Sequence, residues 1–282
     1  MKLLLIHTGG TIGMVSGPHG LTPQDGVVET AVLARLPAHI ELHQHVFTPL
    51  IDSANMGPQH WNAILDVIDA HPDCAVLLTH GTDTMSFTGA ALSQALEGLG
   101  RHVVLCGSMV PLGAGGDAEG NLDFAIDALS KCTDEGVFLS FAGRILPANG
   151  LVKHNGFELD AFRATPQDPI AAPKRRRFPD KKLAVVTVTP NFPVVALSAM
   201  LKELDGAVLR VFGAGTIMSD ASVIAALSEA VQNGVVLRAV SQCEVGNLEP
   251  GSYAAGQLLW QSGVQNGGRE TPEAALVHLW LN

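Results

Sequence analysis

The amino-acid sequence predicts an α/β protein made of two α/β domains: a larger N-terminal domain with a mostly parallel sheet and a smaller C-terminal domain. Short runs of consecutive apolar residues recur along the chain, and each is followed by a glycine-rich turn and then a helical pattern. Continuous apolar runs are typical of strands buried on both faces of a parallel sheet, and strand–helix alternation is typical of α/β folds. A basic, proline-rich stretch after residue 165 predicts the boundary between the domains.

The first predicted domain, residues 1–165, contains four strand candidates. Residues 3–6 read Leu-Leu-Leu-Ile and residues 75–78 read Ala-Val-Leu-Leu, apolar at consecutive positions and too short for helices. Residues 103–105 and 137–141 repeat this pattern. The helical patterns between the strands lie at residues 59–71, 87–98 and 121–132.

The second predicted domain, residues 183–282, follows a predicted linker at residues 166–182. Residues 165–182 hold four prolines and six of the seventeen basic residues, a composition typical of a connecting segment. Beyond it, predicted strands and helices alternate again. A final helix begins after Thr271, with Pro272 at its first position, because threonine caps helix N-termini and proline fits the first turn. The predicted strands are residues 183–188, 207–211 and 235–240, and the earlier helices are residues 194–204 and 221–233.

Composition and charge narrow the classes of partner. Among 282 residues there are 27 acidic and 17 basic side chains, and the net charge of −10 disfavours nucleic acid or anionic lipid as a general partner. Residues 174–177, Lys-Arg-Arg-Arg, are flanked by prolines, which favours a solvated linker over a nucleic-acid patch. The longest apolar run is well short of the roughly 20 residues that span a bilayer. We therefore expect neither nucleic acid nor membrane as a partner.

Cysteines and histidines give no sign of a metal or a disulfide framework. The four cysteines, at positions 74, 106, 132 and 243, form no Cys-x-x-Cys pair. His43 and His45 alternate along a strand-like segment without an obvious third ligand, so we expect no metal site. After Lys2 come only four consecutive apolar residues, whereas a signal peptide carries roughly 7–15. We expect a cytoplasmic protein.

Hydroxyl side chains recur where the predicted strands end. Thr11 follows the first strand after two glycines, Thr82 and Asp83 follow the second, and Gly107 and Ser108 follow the third. Ligands of open parallel sheets bind at this edge, and glycines let the backbone approach a ligand closely. This pattern suits a hydroxyl nucleophile with backbone N–H donors for an oxyanion. For any one of these segments alone, ordinary turn and cap residues are the favoured explanation.

Two of these segments carry a resemblance to a known family. Residues 8–13, Thr-Gly-Gly-Thr-Ile-Gly, and residues 80–85, His-Gly-Thr-Asp-Thr-Met, together resemble the two signature segments of the bacterial-type L-asparaginase family, above all its cytoplasmic (type I) branch. The resemblance covers essentially the whole chain. Further similar segments are residues 52–56, 107–111, 117–122, 152–153, 212–215, 242–243, 251–256 and 271–275.

The resemblance implies an amidohydrolase that converts L-asparagine to L-aspartate and ammonia. Thr11 would be the nucleophile that attacks the side-chain amide, forms an acyl-enzyme and releases ammonia. Thr82, Asp83 and Lys153 would form a second Thr–acid–Lys group. A lysine beside a buried carboxylate favours its ionised form, and together they can order or activate a hydroxyl or a water.

The resemblance also implies how the substrate is held. Asp83 would meet the α-ammonium of the substrate and Ser53 its α-carboxylate, with Asp52 supporting the loop. Thr82 and Ser108 complete the implied substrate-binding set, and backbone N–H groups of the glycine-rich turns would bind the oxyanion. No metal or cofactor is implied. Family members assemble as dimers or tetramers, so we expect a homodimer or homotetramer, which the apolar residues 279–281 would suit.

Two positions depart from the family pattern. One is Thr216, where the family often has asparagine after Gly-x-Gly, and the other lies in the loop after the first signature. The family carries an activating tyrosine in the mobile loop after the first signature, and Leu21 stands there in this chain, whose one tyrosine is Tyr253. Either His19 or Thr22 replaces the phenol, or the second Thr group activates Thr11, or activity is low. Other functions also remain open: an amidase on glutamine or a D-amino acid amide, the amide-hydrolysing part of a tRNA amidotransferase, or a binding protein that senses amino acids without turnover.

Overall fold

The protein divides into two compact units. The structure, a computed structural model, describes residues 1–18, 20–131, 134–252 and 254–282. The first unit comprises Met1–Ala164 together with Arg176–Phe178, and the second comprises Thr165–Arg175 together with Pro179–Asn282. Each unit combines a largely parallel sheet with helices, so the predicted α/β class is confirmed.

The first unit alternates strands and helices along most of its length. Its helices are α1 (Val27–Leu33), α2 (Pro58–Ala70), α3 (Met85–Ala95) and α4 (Ala118–Lys131). Its strands are β1 (Lys2–His7), β2 (Met14–Gly17), β3 (Gly20–Pro23), β4 (Glu41–Val46), β5 (Cys74–Thr79), β6 (His102–Cys106), β7 (Gly136–Phe141), β8 (Arg144–Pro147), β9 (Leu151–Lys153) and β10 (Phe162–Ala164).

Six of these strands form one sheet in the order β4–β1–β5–β6–β7–β8. Neighbouring strands are parallel except for β7 and β8, which pair antiparallel at one edge. All four side chains from Leu3 to Ile6 are fully buried, as expected for a central strand covered on both faces. Because β1, β5 and β6 run in parallel side by side, the loops that follow them meet at one edge of the sheet.

Three short strand pairings do not follow from the apolar pattern. These are the antiparallel hairpin of β2 and β3, the edge strand β8, and the antiparallel pair of β9 and β10. Their strands have three or four residues, and β3 and β8 are largely exposed. Without a continuous apolar run or a clean alternation, such short segments leave no periodic signal in the sequence.

The second unit contains a four-stranded parallel sheet in the order β11–β12–β13–β14. Its last helix begins as predicted: Thr271 Oγ1 accepts a hydrogen bond of 3.2 Å from Ala274 N, and Pro272 occupies the first position. The strands are β11 (Leu183–Thr187), β12 (Gly206–Val211), β13 (Val236–Ser241) and β14 (Gln265–Asn266). The helices are α5 (Val194–Lys202), α6 (Ala221–Gln232), α7 (Ala254–Gln261) and α8 (Pro272–Leu281).

The apolar C-terminus has a different role from the expected one. Leu279, Trp280 and Leu281 are 4%, 8% and 0% exposed, and they belong to the helix packed on the sheet of the second unit. The expectation that they suit a subunit contact is wrong, because the chain's own fold already buries them. Within the described ranges, none of the helices has the length and apolar character needed to cross a bilayer.

The predicted linker, residues 166–182, is shared between the two units. Arg176–Phe178 belongs to the first unit, whereas the residues on either side of it belong to the second. The Arg176 guanidinium donates to the carbonyl oxygens of Ala95 and Glu97, at 2.7 and 2.9 Å, where α3 ends. The basic run is therefore partly a packing segment of the first unit and not wholly solvated.

The two residues after Arg176 attach to helix α2. Arg177 forms ion pairs of 2.8 and 2.7 Å with Asp66 and Asp69. The Asn62 amide donates to Phe178 O at 2.9 Å and accepts from Phe178 N at 2.8 Å, so it satisfies both backbone groups of that residue. We refer to Arg176–Phe178 as the clip.

Candidate active site

The predicted site residues come together where glycines allow close contact of the backbone. A Cβ atom on Gly10 would lie 2.5 Å from Gly81 N, and one on Gly81 would lie 2.6 Å from Ser53 Oγ. Real side chains cannot occupy such spaces, so these two positions require glycine. Gly10 also has φ of 99°, a backbone conformation that other residues rarely adopt. The segments carrying Thr11, Ser53 and Thr82 are thereby held in direct contact.

Thr11 begins a short 3₁₀ helix, Thr11–Gly13, directly after Gly10. Its side chain is half-buried, at the end of the loop that leaves β1. Its immediate neighbour Ile12 is fully buried and belongs to the core of the first unit. The buried Ile12 thus anchors this loop in the core, and Thr11 beside it remains partly accessible to solvent at the sheet edge.

Thr82, Asp83 and Lys153 form one contacting group. The Lys153 ammonium donates to Thr82 Oγ1 at 2.8 Å and to Asp83 Oδ1 at 2.7 Å. The Thr82 residue is 8% exposed, and the side chains of Lys153 and Asp83 are 18% and 70% exposed. The carboxylate is therefore not buried as the sequence interpretation assumed, and it faces solvent from which a charged ligand can approach.

Asp52 and Ser53 lie in a short loop beside this group. The Asp52 carboxylate caps a 3₁₀ helix, Ser53–Asn55, by accepting from Ala54 N at 3.0 Å. The Ser53 carbonyl accepts from the Thr84 hydroxyl at 2.6 Å, and Ser53 itself is 5% exposed. Asp52 thus caps this loop, and the loop is tied by Thr84 to the segment that carries Thr82.

Ser108 lies in the loop after β6 and is 1% exposed. Its hydroxyl oxygen is buried and has no hydrogen-bond partner among the described residues. The loop is held by Asp117, whose carboxylate accepts from Met109 N at 2.9 Å and from Val110 N at 3.0 Å. A buried polar atom without a partner is costly, and such an atom at a sheet edge fits a polar group of a ligand.

The same loop depends on a residue whose contribution the sequence did not reveal. The Asn121 amide donates to Gly107 O at 3.0 Å and to Asp117 Oδ2 at 3.0 Å, and its oxygen accepts from Ala142 N at 2.9 Å. Asn121 is 2% exposed and links the loops that follow β6 and β7. The sequence signal that could have identified it is a polar residue, Asn121, on the apolar side of a predicted helix.

Thr22, one candidate substitute for the family tyrosine, lies on the β2–β3 hairpin beside Leu21. Leu21 is 48% exposed and pairs with Ser16, and Thr22 is exposed and pairs with Val15. His19 lies outside the described residues, as does Tyr253. The Thr22 hydroxyl has no hydrogen-bond partner in the described ranges, and the Leu21 side chain has no polar atom.

Two histidines at the ends of β1 and β5 are buried. His7 Nδ1 lies 2.7 Å from the Thr79 hydroxyl, and burial lowers the pKa of this imidazole despite the nearby carboxylates of Glu29 and Asp25. Burial also lowers the pKa of His80, to about 4. Both rings are therefore neutral near pH 7. Within the described part of the chain, no group of three or more His, Cys, Asp or Glu residues could hold a metal ion.

Fold and site together define an amidohydrolase of the asparaginase family, and the chain belongs to that family. Residues 2–181 match the family model "Asparaginase, N-terminal", and residues 182–282 match "Glutaminase/Asparaginase C-terminal domain". Among its relatives, L-asparaginase 1 of Escherichia coli is 30% identical over an alignment of 309 residues, gaps included. The alignment covers 99% of this chain and 90% of that protein.

One solved structure agrees with this assignment, and one further relative carries a different name. The crystal structure of L-asparaginase I from Vibrio cholerae superimposes with a TM-score of 0.87 at 26% identity, covering 99% of this chain and 92% of that one. The human 60 kDa lysophospholipase is 28% identical over 328 residues, covering 99% of this chain and 57% of that protein. The resemblance seen in the sequence is confirmed.

Proposed function

We propose that this protein hydrolyses L-asparagine to L-aspartate and ammonia, with Thr11 as the nucleophile. The observation that carries the proposal is the contact of one ammonium, that of Lys153, with both Thr82 and Asp83. In a member of the asparaginase family, this group beside a half-buried threonine at the sheet edge is suited to acyl transfer from an amide.

The reaction proceeds in two steps. The Thr11 oxygen attacks the side-chain amide carbon, the C–N bond breaks, and nitrogen leaves as ammonia after taking up a proton. An ester to Thr11 remains, and water then hydrolyses it, which releases aspartate and restores the hydroxyl. Thr82, held by Lys153, orders the attacking groups, and we propose that this second threonine group activates Thr11.

Substrate binding uses the charges and the unpaired hydroxyl of the site. The exposed Asp83 carboxylate binds the α-ammonium, and Ser53 binds the α-carboxylate within the loop that Asp52 caps. Ser108 supplies a buried hydroxyl to the substrate. Backbone N–H groups of the glycine-rich turns stabilise the oxyanion, each contributing roughly 3–4 kcal/mol to the transition state.

Ammonia release from L-asparagine tests the proposal. We expect turnover with the parent protein and a loss of at least about 10³-fold in Thr11→Ala, since a nucleophile has no substitute. Thr30→Ala is the matched control, because Thr30 is exposed on α1. Turnover that survives Thr11→Ala excludes Thr11 as the nucleophile.

The same assay separates the alternative functions. Faster turnover of glutamine or of a D-amino acid amide than of L-asparagine identifies a related amidase. Tight binding of aspartate without turnover of any amide identifies a binding protein. A further variant, Lys153→Met, is expected to lower activity by about 10²-fold or more, because it leaves Thr82 and Asp83 without their shared donor. Lys131→Met, at a 73% exposed lysine, is its control.

We also propose a cytoplasmic location and a homodimer or homotetramer. Cys74 and Cys106 are buried free thiols, and Cys243 is free and exposed. Such thiols persist in reducing compartments. Light scattering on the purified protein measures the oligomer, and a monomer at micromolar concentration contradicts this part of the proposal.

A further inference from the structure

A buried chain of hydrogen bonds reaches the candidate site from the interior of the first unit. His80, directly after β5, has Nδ1 at 2.6 Å from Gly81 O and Nε2 at 2.9 Å from the Thr88 hydroxyl. The Trp61 indole donates to the same hydroxyl at 3.0 Å. His80, Thr88 and Trp61 are 0%, 0% and 3% exposed. None of the three is part of the acyl-transfer machinery proposed above.

The chemistry of the bonded groups determines which atom is the donor in each of these hydrogen bonds. A carbonyl oxygen only accepts, so the imidazole proton sits on Nδ1 and is donated to Gly81 O. Nε2 is then a lone pair, and the Thr88 hydroxyl donates to it. The Trp61 indole is only a donor, and it fills a remaining lone pair of Thr88. One tautomer of His80 satisfies all of these groups.

The peptide that His80 holds lies at the centre of the site. A Cβ atom on Gly10 would lie 2.8 Å from the His80 carbonyl carbon, and one on Gly107 would lie 2.6 Å from His80 O. The neighbouring Gly81 is equally close to Ser53. This one dipeptide therefore touches the segments that carry the other candidate groups, and Thr82 follows it.

We propose that His80 is a positioning residue whose Nδ1 proton holds the Gly81 carbonyl and so orients the Gly81–Thr82 peptide for the reaction. In a trans peptide the C=O and N–H point in opposite directions, so drawing Gly81 O towards the ring turns Thr82 N–H away from it. Thr88 and Trp61 fix the ring in the required tautomer. This inference rests on the proposed function, because the orientation of the Gly81–Thr82 peptide affects turnover only if Thr82 takes part in the reaction.

The far end of the chain is also anchored. The Trp61 ring packs edge-on against Phe178, with ring centroids 5.1 Å apart, and Phe178 is the last residue of the clip. Because Asn62 holds Phe178 by both backbone groups, the position of Trp61 is set by rigid contacts and not by solvent. The hydrogen bonds thus run from a fixed point to the turn that bears Thr82.

Two substitutions of His80 separate positioning from packing. Asparagine places its amide nitrogen near Nδ1 and keeps a donor for Gly81 O, whereas glutamine reaches the place of Nε2 and loses that donor. We expect His80→Gln to lower kcat on L-asparagine by about tenfold or more, and His80→Asn to keep kcat within about threefold. Equal losses in both variants, or no loss in His80→Gln, overturn the proposal.

Thr88 provides a second, milder test that is independent of His80. Thr88→Val removes the hydroxyl at nearly constant shape, and Thr88→Ser keeps it. We expect Thr88→Val to lower kcat by about threefold to tenfold and Thr88→Ser to retain it, with kcat measured well below the thermal midpoint. The midpoint of Thr88→Val is expected to lie below that of Thr88→Ser, because the buried His80 Nε2 loses its donor. If His80→Gln fails to fold, this pair decides the matter, and equal kcat values contradict the inference.

A readout that needs no turnover distinguishes failure of this inference from failure of the proposed function. In protein labelled with ¹⁵N-histidine, NMR reports which imidazole nitrogen bears the proton. We expect His80 to show a protonated Nδ1 and an unprotonated Nε2 at pH 7. A proton on Nε2 overturns the inference even in an active enzyme. Absence of ammonia release with the expected tautomer overturns the proposed function and the assigned role of His80, while the hydrogen-bond chain itself stands.

Discussion

Two hydroxyls of the candidate site have opposite surroundings. Thr82 accepts a hydrogen bond from Lys153, whereas the Ser108 oxygen is buried with no partner in the described part of the chain. A hydroxyl satisfied by the protein contributes to its own fold, while an unsatisfied one costs free energy until a ligand supplies the missing bond. Under the proposed function, this contrast assigns Thr82 to the reactive group that the protein holds in place and Ser108 to substrate binding.

This contrast leads to an expectation for Ser108→Ala. The variant loses no protein hydrogen bond, so we expect the free energy of unfolding to stay within about 0.5 kcal/mol of the parent or to rise. We expect KM for L-asparagine to rise by about tenfold, because one hydrogen bond to the substrate is lost. Denaturant titration and ammonia-release kinetics measure the two effects. Ser130→Ala, which removes a hydroxyl bonded to Ile126 O, is the control for stability. A clear destabilisation in Ser108→Ala with unchanged KM assigns that hydroxyl to the fold.

The β2–β3 hairpin carries Leu21, which stands where the resemblance implies a tyrosine. Leu21 is 48% exposed on β3, so a larger side chain meets no packed core there. We expect Leu21→Tyr to raise kcat by about tenfold or more, because a phenol adds a proton acceptor near Thr11 if the hairpin closes over the site. Leu21→Phe, a ring without the hydroxyl, is the matched control. An equal rate in both variants means that the hairpin takes a different path.

The clip offers a comparison of two kinds of contact on helix α2. Arg177 makes ion pairs with side chains that are 70% and 48% exposed, and such pairs contribute roughly 0–1 kcal/mol. Asn62 instead makes a hydrogen bond to each backbone group of the buried Phe178, so its removal takes away two buried hydrogen bonds. We expect Asn62→Ala to cost about 2 kcal/mol and Arg177→Ala less than about 1. Chemical denaturation measures both, and a larger cost for Arg177→Ala reverses the assignment.

For the whole molecule, the sequence predicts what depends on local pattern. Residues 3–6 predict a buried central strand because both faces of that strand are covered, and Thr271 predicts a helix start because its hydroxyl bonds three residues on. The sequence does not predict contacts set by distant packing. Phe178 makes a hydrogen bond with Asn62, which lies 116 positions earlier in the sequence, and no local sequence pattern predicts that contact. The site follows the same division: its motifs are visible in the sequence, but the partners of His80 are not.

The pH dependence of stability belongs to the whole molecule because histidines in both units contribute. Burial lowers the pKa of His80 to about 4, and burial together with Arg238 and Lys174 lowers that of His278 to about 4, from 6.5. As the pH falls from 6.5 towards 4, these histidines are protonated in the unfolded chain but stay neutral in the folded chain. The free energy of unfolding therefore falls in that pH range. Glu270 and Glu273, whose pKa values are raised by burial, act in the opposite sense.

A single substitution isolates one histidine from these opposing groups. Each histidine that is protonated only in the unfolded state adds up to about 1.4 kcal/mol per pH unit to the slope of the unfolding free energy against pH. We expect His80→Asn to be less steep than the parent by about that amount between pH 6 and pH 5, because asparagine takes up no proton in either state. His39→Asn, at an exposed position, is expected to leave the slope as it is. Denaturant titrations at pH 7, 6 and 5 measure the slopes, and identical slopes for His80→Asn and the parent mean that the ring is not held neutral by burial.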